Sequence, residues 1–270
     1  MTTRESIPVN TGGENTEESA PVSARGIHVG RWHSFRIPAG ALRFTLGTSG
    51  QHTDPVVPEL LLELWPHWFE IAIGHMQLAR DAHVRLIDAN TSGDGKTRGD
   101  ALDDELQSSM QTICAVAFAI DGLYGALADH VPVEPALKAT WRAHRTSRAS
   151  IVLEVIRRAS VLKNSQVISM KRVLKSLFTF RGWAVHPPAD FREAILHPDI
   201  AVGVDQRYVQ FRSANADMAM SGGLEVALRI LSQPRDLPGH KDWCTPRRQI
   251  VDEILAAAGI TWSWNGEAAP

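Results

Sequence analysis

A chain of 270 residues can hold one large domain or two small ones. With 44% apolar residues, 21% charged residues and a formal net charge of −2, its composition excludes wholesale disorder and a fibrous fold. The two cysteines, Cys114 and Cys244, are too few for a disulfide framework or a cysteine-rich zinc site.

Residues 1–24 are rich in Thr, Glu, Gly, Ser and Pro and nearly free of large apolar side chains. They cannot bury enough surface to offset the entropy of ordering, and they read as a disordered tail. Within 25–56 the apolar residues come in short groups: Ile27 with Val29, Phe35 with Ile37, then Leu42, Phe44 and Leu46 alternating with polar residues. That pattern predicts an extended arm or a small β-hairpin. Helical periodicity governs 57–233. Trp65, Trp68, Ala72, Met76, Ala79, His83 and Leu86 recur at three- and four-residue steps, one apolar stripe on a helix that Pro66 can start. Asn90 to Gly99 reads as a polar loop. A second helix covers Asp103 to Asp129, its later half apolar nearly all round, as in a helix buried inside a bundle.

The stretch Val131 to Pro135 ends that helix and opens a third, through Leu162. Asn164 or Ser165 caps a fourth, which runs toward Val185 and stops near His186 because two prolines follow. Ala201 to Phe211 reads as extended and Ala214 to Leu231 as a fifth helix. Residues 234–270 form a C-terminal extension with a short helix over Arg247 to Ala258. The expected fold is all-α, a bundle of four to five helices. The longest apolar run, Ile113 to Ala128, spans sixteen residues, short of the roughly 20 that cross a bilayer. No basic segment followed by an apolar stretch and a small-residue cleavage site marks the chain for export, so the expectation is a cytoplasmic protein without a membrane partner.

The charge is polarised. Between Lys138 and Arg181 stand eleven basic residues against one acid, Glu154, a balance of +10; the rest of the chain carries seventeen basic and twenty-nine acidic residues, a balance of −12. Such a distribution draws a polyanion to one surface while the remainder keeps the protein soluble, and RNA or DNA is the natural ligand. Arg142, Arg145, Arg148, Lys171, Arg172 and Lys175 are the candidate nucleic-acid contacts. The competing reading pairs the basic faces of the third and fourth helices with the acidic first and second inside the same bundle.

On the fourth helix the apolar rhythm Val167, Met170, Leu174, Leu177 reaches Arg181 as its next position. A permanent cation on the packed side needs an acidic partner or an open groove. His186 follows five residues on. In a regular helix the two side chains would stand about 140° apart, and the break at Pro187 can return the imidazole toward the guanidinium. This pair suits metal-free opening of an RNA phosphodiester. Imidazole can take the ribose 2′-hydroxyl proton or give one to the leaving oxygen, and guanidinium can hold two phosphate oxygens as negative charge builds up.

The residues Phe180-Arg181-Gly182-Trp183-Ala184-Val185-His186-Pro187 resemble the signature of the HEPN family, in which an Arg is followed after four to six residues by a His near a helix end. The resemblance extends to the all-helical layout and to the apolar helix around Ala119 to Tyr124, together roughly residues 60–233. It implies a HEPN-like helical domain over 57–233 and a metal-independent endoribonuclease of a toxin–antitoxin or antiviral defence system, with no cofactor. It further implies Arg181 and His186 as the catalytic pair, a homodimer whose motifs meet in a cleft, RNA as a partner, and an antitoxin or other protein as a second one. The position after the arginine, commonly Asn, Asp or His in that family, is Gly182. A catalytically inactive module that binds or scaffolds is the alternative reading.

Two upstream residues support the pair. Asp121 lies in an apolar helix, where an ionised carboxylate is rare without a partner; an arginine is the expected one, and Arg181 the informative choice. Tyr124, three residues on, can join the same hydrogen-bond network or pack in the core. His67, His75 and His83 recur every eight residues and drift around their helix, so no zinc pair is expected. Gly93, Gly95 and Gly99 follow no strand and make no phosphate loop, and Ser221-Gly222-Gly223 sits inside helical sequence, unlike a nucleophile elbow.

Overall fold

The computed structural model describes residues 31–37, 44–47, 50–53, 58–186 and 190–261. The chain divides into two units, 1–31 and 32–270, and the second is described below. The tail expected over 1–24 and much of the arm expected over 25–56 lie outside the described residues. The second unit opens with four short strands, β1 (His33–Arg36), β2 (Phe44–Gly47), β3 (Gly50–Thr53) and β4 (Glu59–Leu62). Helices α1 (Trp65–Ser92), α2 (Gly95–Ala128), α3 (Pro135–Ala143), α4 (Arg148–Ala159) and α5 (Asn164–Val185) follow. The two-residue strands β5 (Ile195–Leu196) and β6 (Gly203–Val204), then α6 (Gln206–Gln210), α7 (Ser213–Ser232) and α8 (His240–Ala257), complete it. β2 and β3 pair as an antiparallel hairpin, Phe44 opposite Thr53, and β1 pairs antiparallel with β4, His33 opposite Leu62.

The described residues are mostly helical, broadly consistent with the all-α class expected from periodicity, with eight helices where six were expected, five in the bundle and one beyond it, and short antiparallel strand pairs beside them. The predicted third helix is two. Arg145 adopts a left-handed backbone with φ 48°, which ends α3, and the Ser147 hydroxyl accepts the Ser150 N–H at 3.3 Å to start α4. The segment Gln206–Gln210, expected to be extended, coils as α6 behind the Asp205 carboxylate, which accepts the Arg207 N–H at 2.8 Å. The loop expected over Asn90 to Gly99 shrinks to Gly93 and Asp94. Gly93 takes φ 75°, and Asp94 caps α2 by accepting the N–H groups of Lys96 and Thr97, both at 3.1 Å.

α1 packs along α2, and the buried stripe of α1 is Trp65, Phe69, Ala72, Met76, Ala79, Ala82, Leu86 and Ala89. Trp68 and His83, predicted for the stripe, sit at its half-exposed edges. α2, with 34 residues and about 50 Å long, is the central helix: α1, α4, α5 and α7 all pack on it. By length and composition it is the one candidate span among the described residues, with mean hydropathy 1.4 over its most apolar window, but half of that window is buried inside the bundle. That placement is compatible with the central helix of a soluble protein.

Gly222 and Gly223 set how closely α7 approaches. A Cβ on Gly222 would fall 2.8 Å from Val173 Cγ1 of α5, and one on Gly223 would overlap Val116 Cγ1 of α2. Gly223→Ala is therefore expected to destabilise the fold by about 1–3 kcal/mol, read as a lower urea midpoint with an unchanged m-value. α8 joins the same core through Trp243, Cys244, Val251, Ile254 and Leu255.

Candidate functional site: a cationic groove between α4 and α5

The break between α3 and α4 and the packing of α5 on α2 together create a groove of about 660 Å³. Arg148, at the first turn of α4, forms one wall, and α5 supplies Lys171, Lys175, Arg181, Gly182 and His186. Met170, Leu174 and Leu177 are buried beneath α5, which fixes the rotation of the helix and thereby the direction of its cationic face. Arg181 sits at the edge of that buried stripe with 34% of its side chain exposed. α5 stays helical through Val185, and His186 caps it, its N–H donating to Gly182 O at 2.9 Å. Arg181 and His186 thus both line one groove, from α5 and its C-terminal cap. Gly182 lies between them, and nothing stands within 4 Å of where its Cβ would be.

Asp121 of α2 lies behind the groove and holds two arginines. Arg148 Nε donates to Asp121 Oδ1 at 2.6 Å, and Arg181 Nη1 stands 3.6 Å from Oδ2. The expected Asp121–Arg181 pair is present, and Arg148 is a second partner that was not expected. Tyr124 takes part through its ring: the Arg148 guanidinium lies 4.2 Å from its centroid, and among the described residues its hydroxyl makes no hydrogen bond to Asp121. The Arg181 guanidinium lies 5.1 Å from the Phe118 centroid. Four permanent cations line the groove against this one carboxylate, so its field is positive.

The remaining predicted contacts are elsewhere. Arg142 and Arg145 are exposed on α3 and the turn after it, outside the groove lining. An unbroken helix would have kept Arg142, Arg145 and Arg148 on one face; the turn at Arg145 separates the third from the first two. Arg172 lines a smaller, mostly apolar groove between α5 and α7, with Phe180, Asn215 and Met218. From α2, Asp121 pairs with the basic segment, while Arg157 and Arg158 are held by Glu154 and Glu134.

Burial raises the Cys114 thiol despite the nearby Arg181 charge, and burial pushes Cys244 up to about 11, so neither is a ready nucleophile. His240, buried beside Cys244, donates from Nε2 to Ala159 O at 3.0 Å. About 24 Å along α2 from Asp121, the buried Glu105 accepts the Ser213 N–H at 2.7 Å and lies 3.1 Å from His83 Nδ1. No group of three or more His, Cys, Asp or Glu among the described residues is placed to hold a metal.

Burial lowers both His197 and His240, which lie in the interior, and raises Glu105. A depressed histidine stays neutral in the folded chain while its unfolded counterpart takes a proton below about pH 6.5. Stability is therefore lost as pH falls through that value. Glu105 works oppositely, since its raised carboxyl favours the folded state below the ordinary carboxylate range and loses that contribution as pH rises. The melting temperature is expected to fall between pH 7.5 and pH 5.5, and His197→Gln is expected to flatten the decline. No protein-family model, no curated protein and no solved structure matches the chain.

Proposed function

We propose that this protein binds RNA in the α4–α5 groove and cuts it without metal, as a HEPN-like endoribonuclease of the toxin–antitoxin or defence type, cytoplasmic, homodimeric and held in check by a protein partner. One observation carries the reading: Arg181 and His186 line a single groove together with Arg148, Lys171 and Lys175. A guanidinium fork beside an imidazole, within a cationic trough, matches the needs of a phosphodiester whose 2′-hydroxyl is the nucleophile. His186 takes the 2′-hydroxyl proton as the 2′-oxygen attacks phosphorus. The bond to the 5′-oxygen breaks, that oxygen takes a proton from water, and a cyclic phosphate and a 5′-hydroxyl end result. Arg181 holds the non-bridging oxygens as their charge grows.

Purified protein incubated with total RNA in chelator tests this, wild type beside His186→Ala. Fragments ending in cyclic phosphate are expected from the wild type and not from the variant. Equal cleavage by both would end the enzymatic reading. A catalytically inactive RNA-binding module is the second reading, favoured by Gly182, which leaves no polar side chain directly after Arg181. It predicts salt-sensitive RNA retention without cleavage.

A further inference from the structure

We infer that Arg148 is a second phosphate-binding residue of the groove and that Asp121 is the positioning residue that aims Arg148 and Arg181 at one phosphate. The inference rests on the RNA-binding reading above and extends it to a residue outside the Arg181–His186 segment, 33 positions upstream on another helix.

The geometry begins on α2. Phe118, Asp121 and Tyr124 follow at three-residue steps and so share one face of that helix. They form a carboxylate flanked by two rings. Each ring carries one guanidinium, Arg181 over Phe118 at 5.1 Å and Arg148 over Tyr124 at 4.2 Å, and each oxygen of Asp121 faces one of them. A guanidinium offers five N–H donors in a planar fork. Arg148 spends its Nε on Asp121, and its terminal nitrogens make no other hydrogen bond among the described residues. Arg181 meets Asp121 through Nη1, and among the described residues its guanidinium makes no other ion pair. Both line the groove. Stacking and the shared carboxylate restrict the rotation of two long side chains, so the ordering cost of gripping a phosphate is met before the ligand arrives.

Charge alone does not explain Asp121. A carboxylate behind a polyanion site weakens the attraction, so a surface built only to collect RNA would be better without it. Its position between two arginines is explained by aim. These two accounts predict opposite signs for Asp121→Asn, which keeps the shape and removes the charge.

The experiment measures binding of inorganic phosphate by calorimetry and the salt dependence of RNA retention, in wild type, Asp121→Asn, Arg148→Ala and Arg148→Lys, each checked for a cooperative melt. Asp121→Asn is expected to bind phosphate roughly tenfold more weakly although the site has gained a positive charge. Arg148→Ala is expected to lower the slope of log K against log salt by about 0.7, one phosphate contact, and Arg148→Lys to restore that slope without restoring phosphate affinity. Equal or tighter phosphate binding by Asp121→Asn would overturn the positioning role. A wild-type slope in Arg148→Ala would overturn the contact. If Asp121→Asn does not melt cooperatively, Asp121→Glu takes its place: it keeps the charge and displaces the carboxylate by one methylene, so weaker phosphate binding supports the positioning role and unchanged binding overturns it. Salt-insensitive RNA retention by the wild type itself would defeat the parent reading, a result separate from any difference between variants.

Discussion

Replacing His186 by Ala is expected to lower RNA cleavage by about 10²- to 10⁴-fold, the usual worth of a positioned acid–base group, while RNA retention changes little. The separation follows from the groove. His186 is one of five cationic or titratable side chains lining it, and the four permanent cations remain in the variant. Arg181→Ala is expected to reduce both cleavage and retention, because that residue contributes binding charge and transition-state contacts together. Arg181→Lys keeps the charge and loses the planar fork, so it should retain RNA near the wild-type level and still cut poorly. Single-turnover rates beside filter-binding titrations distinguish these outcomes. Equal losses of binding and cleavage in His186→Ala would make the histidine a contact and not a proton carrier.

The largest expected effect on stability lies away from the groove, where the strand region meets α8. Glu63, just after β4, is 7% exposed and takes a bidentate ion pair from Arg247 of α8; Trp65 Nε1 donates to the same carboxylate at 2.7 Å. The Arg247 guanidinium also lies 4.3 Å from the Trp243 ring centroid and donates from Nη1 to Trp243 O at 2.9 Å. Glu63→Ala leaves the Arg247 charge without its counter-ion, though still bonded to Trp243 O, and the Trp65 indole N–H without its acceptor in a dry setting, with an expected loss of about 3–5 kcal/mol. The double variant Glu63→Leu with Arg247→Met removes both charges and is expected to recover much of that loss, since the desolvation cost disappears along with the attraction. Chemical denaturation of the single and double variants measures the difference. A loss below about 1 kcal/mol for Glu63→Ala would class the pair with exposed surface bridges.

Much of this protein was legible in its residues because local rules decide local structure. The rhythm from Val167 to Leu177 fixed which side of α5 is buried and put Arg181 at the edge of that stripe. The prolines after His186 marked where the helix stops, and the isolated Asp121 in an apolar helix announced an arginine partner. The turn at Arg145 was less visible. A left-handed arginine has no strong sequence signal, and Ser147, a good N-cap residue, lies in a stretch whose helical pattern runs on past it.

What the sequence determined by itself is the helical class, the buried faces of the long helices, the concentration of basic charge between Lys138 and Arg181, and the Arg181–His186 segment. Only the tertiary structure decided which cations share a groove. Arg148 joins Arg181 because α4 starts afresh at Ser147 and packs against α2 and α5, while Arg142 and Arg145, equally basic and only a few positions away, stay outside. The physical reason is that periodicity sets the face a side chain takes on its own helix, whereas a shared cavity depends on how separate helices close over one core.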